Sequence, residues 1–130
     1  MRHRKSGRKL GRKTAHRKAL MSNLALALIT HKKIKTTDAK AKELRTFIEP
    51  LITRAKKGDI HSRRQVLKKI PHKNIVKELF DVVAPVFSKR NGGYTRITKL
   101  GFRDNDRASL SMIEFVDFID NNVSEDQVET

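Results

Sequence analysis

Half of the first eighteen residues are lysine or arginine, and the chemistry such a run can do is phosphate binding. Arg2, Arg4, Lys5, Arg8, Lys9, Arg12, Lys13, Arg17 and Lys18, joined by His3 and His16, all precede the first acid, Asp38. Cations at this density repel one another and cannot enter an apolar core, so the segment is expected to stay unstructured until a polyanion neutralises it. If all nine met phosphates, log affinity would fall against log salt with a slope of roughly −6 to −8, an upper bound set by counterion release.

A second candidate lies at Tyr94 to Leu100, where side chains alternate. Tyr94, Arg96 and Thr98 are expected on one face, with Thr95, Ile97 and Lys99 on the other. A tyrosine beside an arginine can stack on an unpaired base and hold a phosphate in bidentate fashion. The same pattern fits a tyrosine that only covers the sheet and an arginine that is solvated. Further cations read as RNA contacts are Lys32, Lys33, Lys35, Arg63, Arg64, Lys89, Arg90, Lys99 and Arg103.

Catalysis finds little footing. His3, His16, His31, His61 and His72 are far apart and sit among cations that disfavour protonation and metal binding, so no metal site is expected. No short motif gathers a nucleophile, a base and an orienting group, and the reading is not an enzyme, with no cofactor and no small-molecule substrate. Gly92 and Gly93 lack the Lys-Ser pair and following helix of a phosphate loop and read as a tight turn.

These residues need a scaffold. The chain has 130 residues, a formal charge of +16, 37% apolar residues, six Phe, one Tyr, no Trp and no Cys. That suits one small domain with an arm, without disulfides or thiolate metal sites, and fits a cytoplasmic protein. The charge is lopsided: no Lys or Arg follows Arg107, whereas Glu114, Asp117, Asp120, Glu125, Asp126 and Glu129 do. The expected organisation is a basic RNA-binding extension over 1–13, a compact α+β domain over 14–118 and an acidic flexible tail over 119–130. A secretory signal is rejected, because Ser22 and Asn23 interrupt the apolar run and THKKIK follows it. An Arg-rich, acid-free start also has the composition of a mitochondrial transit peptide. No segment is apolar for long enough to span a bilayer.

Within the domain, Leu20, Leu24, Ala27 and Leu28 recur at helical spacing after Thr14, a candidate N-cap. IKTT at Ile34 to Thr37 reads as a strand. A second helix follows Thr37 or Asp38, with Ala41, Leu44, Ile48, Leu51, Ile52 and Ala55 on one face, Gly58 at its end and a kink or break expected near Glu49 because of Pro50. Asp59 caps a third helix that carries Val66, Leu67 and Ile70 and stops at Pro71. A fourth carries Ile75, Val76, Leu79, Phe80 and Val83 and is expected to end at Pro85. RNGGYTRITKL and ASLSMIEFVDF read as paired strands joined by the polar loop Arg103 to Arg107. The expected architecture is α+β, with about four helices packed on a small three-stranded mixed sheet.

The opening MRHRKSGRKLGRKTAHRKALMSNLALALI resembles that of the bacterial large-subunit ribosomal protein seventeen family. IKTTDAKAKELRTFIEPLITRAKKGD, SRRQVLKKI, VKELFDVVAPVF and RNGGYTRITKLGFRDNDRA resemble the same family in order and spacing, so the likeness spans about Met1 to Phe118. What it implies is a structural constituent of the large ribosomal subunit. Such a protein binds and stabilises folded rRNA near the nascent-peptide tunnel exit, beside neighbouring ribosomal proteins and away from any membrane. Composition alone stops at a small RNA-binding protein, and the alternative it leaves is a basic DNA-binding or chromatin-like protein.

Overall fold

The computed structural model describes residues 13–118; the rest of the expected basic extension and the acidic tail lie outside the described residues. Its order is α1 (Thr14–His31), β1 (Lys33–Thr37), α2 (Asp38–Lys57), α3 (Ile60–Lys69), α4 (Lys73–Glu78), a π-helical turn (Leu79–Val83), α5 (Ala84–Val86), β2 (Thr95–Phe102) and β3 (Ser109–Phe115). This is an α+β fold. The sheet has the order β1-β3-β2 and is antiparallel throughout, where a mixed sheet was expected. β1 and β2 do run in the same direction, as strands joined through helices tend to. β3 turns back from β2 and inserts between them, so no parallel neighbours remain.

α1 buries Met21, Ser22, Ala25, Leu28 and Ile29. Of the expected stripe only Leu28 is shared; Leu20, Leu24 and Ala27 are half-buried. The helix is apolar around most of its circumference, so periodicity alone cannot select the inward face. Its N-cap is Lys13 rather than Thr14, with no side-chain cap. Lys32 ends it at φ 71° and donates its amide to the Leu28 carbonyl.

α2 forms as its pattern dictates. The Thr37 hydroxyl accepts from the Lys40 amide, the six expected apolar residues are buried, and Gly58 ends the helix at φ 73°. The helix is continuous through Pro50, which is exposed, so the expected break does not occur. A proline there removes one hydrogen bond and leaves the buried face intact. Asp59 caps α3 by accepting the Ser62 amide at 2.7 Å, and the helix stops before Pro71.

The fourth helix does not end at Pro85. In the π turn Ala84 donates its amide to the Leu79 carbonyl, five residues back. That shift places Pro85 in the first turn of α5, where a missing amide leaves no intrahelical bond unmade. The rod then delivers Phe87 to the core. Phe87 packs against Tyr94 at 5.0 Å between ring centroids, against Phe115 at 6.0 Å and against Phe118 at 6.2 Å. Tilted and edge-on rings at these separations add to plain area burial.

Candidate nucleic-acid interface

Strand register sorts the sheet residues into two faces. Facing the helices, Ile113 is fully buried between Ile34 and Ile97, and Ser111 is fully buried beside them. On the opposite face Lys33 and Arg96 flank Glu114, and Lys35 and Thr98 flank Met112. Lys35, Arg96 and Thr98 are exposed there, and Lys33, Met112 and Glu114 are half-buried. Arg96 reaches Glu114 at 3.3 Å. Lys33 and Arg96 thus flank one carboxylate, with Lys35 one pair further along, on a face that no described helix covers. The arrangement suits a phosphate backbone: cations stand at both edges, with an apolar strip of Met112 and Leu110 between them.

At the amino end of α1, Lys13, His16 and Lys18 are exposed, and Arg17 is half-buried with its guanidinium donating to the Thr14 hydroxyl at 3.3 Å. No acid lies in that first turn. Cations at the positive end of a helix dipole are unfavourable without an anion, so this end too is set up for phosphate.

The sequence profile of the ribosomal protein L17 family matches residues 20–116. The chain belongs to that family. Large ribosomal subunit protein bL17 of Allorhizobium ampelinum is 52% identical over 90% of this chain and 83% of its own length. The proteins of the same name from Mesorhizobium japonicum and Agrobacterium fabrum are each 50% identical over 90% of this chain, with 82% and 83% of their own lengths covered. As a member of the L17 family, the chain is a ribosomal protein of the large subunit and not an enzyme, and its place is the ribosome in the cytoplasm. Among the described residues, no helix is long and apolar enough to cross a membrane.

Several residues expected to meet RNA have partners within this L17-family domain. Tyr94 is corrected outright: its ring is 1% exposed, so no base can stack on it. The chain turns inward just before β2 and carries the ring against Phe87, while its hydroxyl lies 3.1 Å from both Thr53 Oγ1 and Lys56 Nζ. Lys32 is also structural. Its ammonium donates to the Ile29 carbonyl at 2.7 Å and to Glu78 at 3.0 Å, and lies over the Phe118 ring.

Arg63 lies 4.4 Å over the Phe80 ring, whereas Arg64 beside it is exposed. Arg90 pairs with Asp117 at 3.5 Å and donates to the Gly93 carbonyl, next to an exposed Lys89. Lys99 falls on the helix-side face, away from Arg96, as alternation requires. Arg103 holds Asp106 through two bonds at 3.0 and 2.8 Å. That hydrogen bond raises the guanidinium above its ordinary value and lowers the Asp106 carboxyl to about 2. Arg2, His3, Arg4, Lys5, Arg8, Lys9 and Arg12 lie outside the described residues.

The residues that sequence reading missed are at the β2–β3 hairpin. Leu100 is 47% and Phe102 59% exposed, and Arg107 has its guanidinium 5.1 Å over the Phe102 ring. The one sequence signal for the irregularity between Lys99 and Gly101 that presents them is Gly101 itself, since a glycine inside a strand run often marks a bulge.

Proposed function

We propose that this large-subunit protein binds and stabilises folded rRNA through two basic surfaces, the open sheet face and the amino end of α1 with the extension before it. The observation that supports this best is the row Lys33, Glu114 and Arg96 with Lys35 beside it, on a sheet face without a covering helix. Folded rRNA crowds phosphates together, and each inserted cation relieves repulsion while releasing counterions. In this reading residues 1–13 act as the counterion arm, 14–118 as the domain that recognises shape, and 119–130 as an acidic tail. The site is near the nascent-peptide tunnel exit, against neighbouring large-subunit proteins. Phosphate contacts alone carry no address, so the folded domain supplies the shape that selects one place on the rRNA.

Sedimentation of a cell lysate through sucrose gradients at low and high magnesium tests this, with the chain followed by immunoblot. It is expected to travel with large subunits in both. Recovery only at the top of both gradients overturns the proposal, and tighter binding to duplex DNA than to rRNA at matched salt would favour a DNA-binding protein instead.

A further inference from the structure

The β2–β3 hairpin ends in an aromatic side chain that the domain does not use. Phe102 is 59% exposed and Leu100 47%, whereas Phe87 and Phe115 are fully buried. Regular alternation from Lys99 would send Phe102 to the sheet's outer face. The irregularity between Lys99 and Gly101 inserts a residue, so that Gly101 pairs with Leu110 and Phe102 with Ser109. A one-residue slip moves a side chain to the other face, and Phe102 therefore shares a face with Lys99. Gly101 has φ 118°, a conformation that glycine adopts without strain.

The loop beyond is held in one shape. Arg103 donates its amide to the Ala108 carbonyl at 2.8 Å, and Arg107 donates its own to the Arg103 carbonyl at 2.9 Å. Asp106 accepts from the Arg103 guanidinium and from the Ala108 amide. Arg107 has φ 59°, where a glycine or asparagine would be less strained, and its guanidinium lies over the Phe102 ring. A strained cation and a bulge together present one flat apolar ring to solvent, in a loop whose ordering cost is met before any partner arrives.

We infer that Phe102 is a stacking platform for an unpaired rRNA base, with Arg107 behind the ring and Lys99 on the same face placed for the adjoining phosphates. This rests on the rRNA-binding reading above. Asp106 is engaged by Arg103, which leaves Asp104 as the one loop acid opposing Lys99 and Arg107. The local balance therefore favours a polyanion over an acid-seeking or purely apolar partner. An aromatic ring accepts any base on its π face, so the contact adds affinity without demanding a sequence.

The chain has no tryptophan, so full-length Phe102→Trp carries a single reporter at the tip. Titrated with large-subunit rRNA, its fluorescence is expected to be quenched in step with binding measured independently by filter retention. Phe102→Ala is expected to bind rRNA about five- to a hundredfold more weakly, with Phe102→Trp restoring the affinity. Melting curves like that of the unchanged protein verify that both variants fold. Unquenched fluorescence on bound rRNA overturns the stacking contact and leaves the wider reading standing. Normal rRNA affinity of Phe102→Ala also overturns it, and if that variant then enters large subunits poorly the tip belongs to a protein neighbour. Failure of the unchanged chain to bind rRNA overturns both.

Discussion

The Glu49 carboxylate on α2 fastens Thr95 at the start of β2, accepting its amide at 3.0 Å and its hydroxyl at 2.9 Å on one oxygen. The other oxygen takes the Tyr94 amide at 3.3 Å. Thr95 is buried and lies at the edge of the sheet, so its donors have no strand partner to turn to. The contact therefore fixes where the chain leaves the helices and begins the sheet that carries Arg96.

Removing this carboxylate leaves buried donors unmatched. Glu49→Ala is expected to lower stability by about 2 kcal/mol, read from urea unfolding. Wild-type stability in that variant would show that water replaces the carboxylate.

Tyr94→Phe separates the structural role from an RNA role. It removes the hydroxyl contacts with Thr53 and Lys56 and is expected to cost about 1 kcal/mol, with rRNA affinity unchanged. A selective loss of rRNA affinity would return Tyr94 to the interface.

On the open sheet face, Lys35→Ala and Arg96→Ala are expected to fold normally and weaken rRNA binding. Each lost phosphate contact flattens the plot of log affinity against log salt by about 0.7 to 0.9. An unaltered slope in the double variant would move binding away from this face.

Deleting residues 1–13 is expected to leave the domain folded by circular dichroism while weakening incorporation into large subunits and its salt slope. Unchanged incorporation would show that the folded faces carry the binding alone.

Acid is expected to destabilise the domain in a defined direction. Hydrogen bonds from Ser111 and Lys42 hold Asp38 below the ordinary carboxylate value, as Ser62 does for Asp59 and Lys77 for Asp81. Arg103 and the Ala108 amide lower Asp106 to about 2. Each folded-state value lies below the unfolded one. Their stabilisation is therefore present above the unfolded carboxylate value and is lost as pH falls through the lowered values. Asp59, Asp81 and Asp106 are solvent-exposed and Asp38 is half-buried, so the effect at the three exposed groups is modest. Melting temperature measured from neutral pH downward should drop, and Asp106→Asn should flatten the drop at its acid end; an identical profile would remove Asp106 from the account.

Much of the architecture is legible without coordinates because local chemistry dictates it. The stripe of α2, its Thr37 cap and Gly58 end, the Asp59 cap of α3 and the paired strands each follow from residues close in sequence. The same holds for the division of β2 into a Thr95 and Ile97 face and an Arg96 face. Other features needed distant partners. The inward stripe of α1 was fixed by what packs on it, since several of its sides are apolar. Pro85 was tolerated because the π turn ahead of it had already shifted the bonding register.

The sequence by itself determined the charge, its concentration at the amino end and the family, because these are properties of residue order. Only the tertiary structure decided which neighbours each cation has. Lys32, Arg63 and Arg90 are drawn to Glu78, Phe80 and Asp117, while Lys33, Lys35 and Arg96 are gathered on one open face by strands distant in the chain. The reason is that a cation's role depends on what lies within a few ångströms, and strand register and helix packing bring those neighbours from far along the chain. The same register, shifted by one residue at Gly101, decided that Phe102 shares a face with Lys99 instead of pointing to the sheet's outer face.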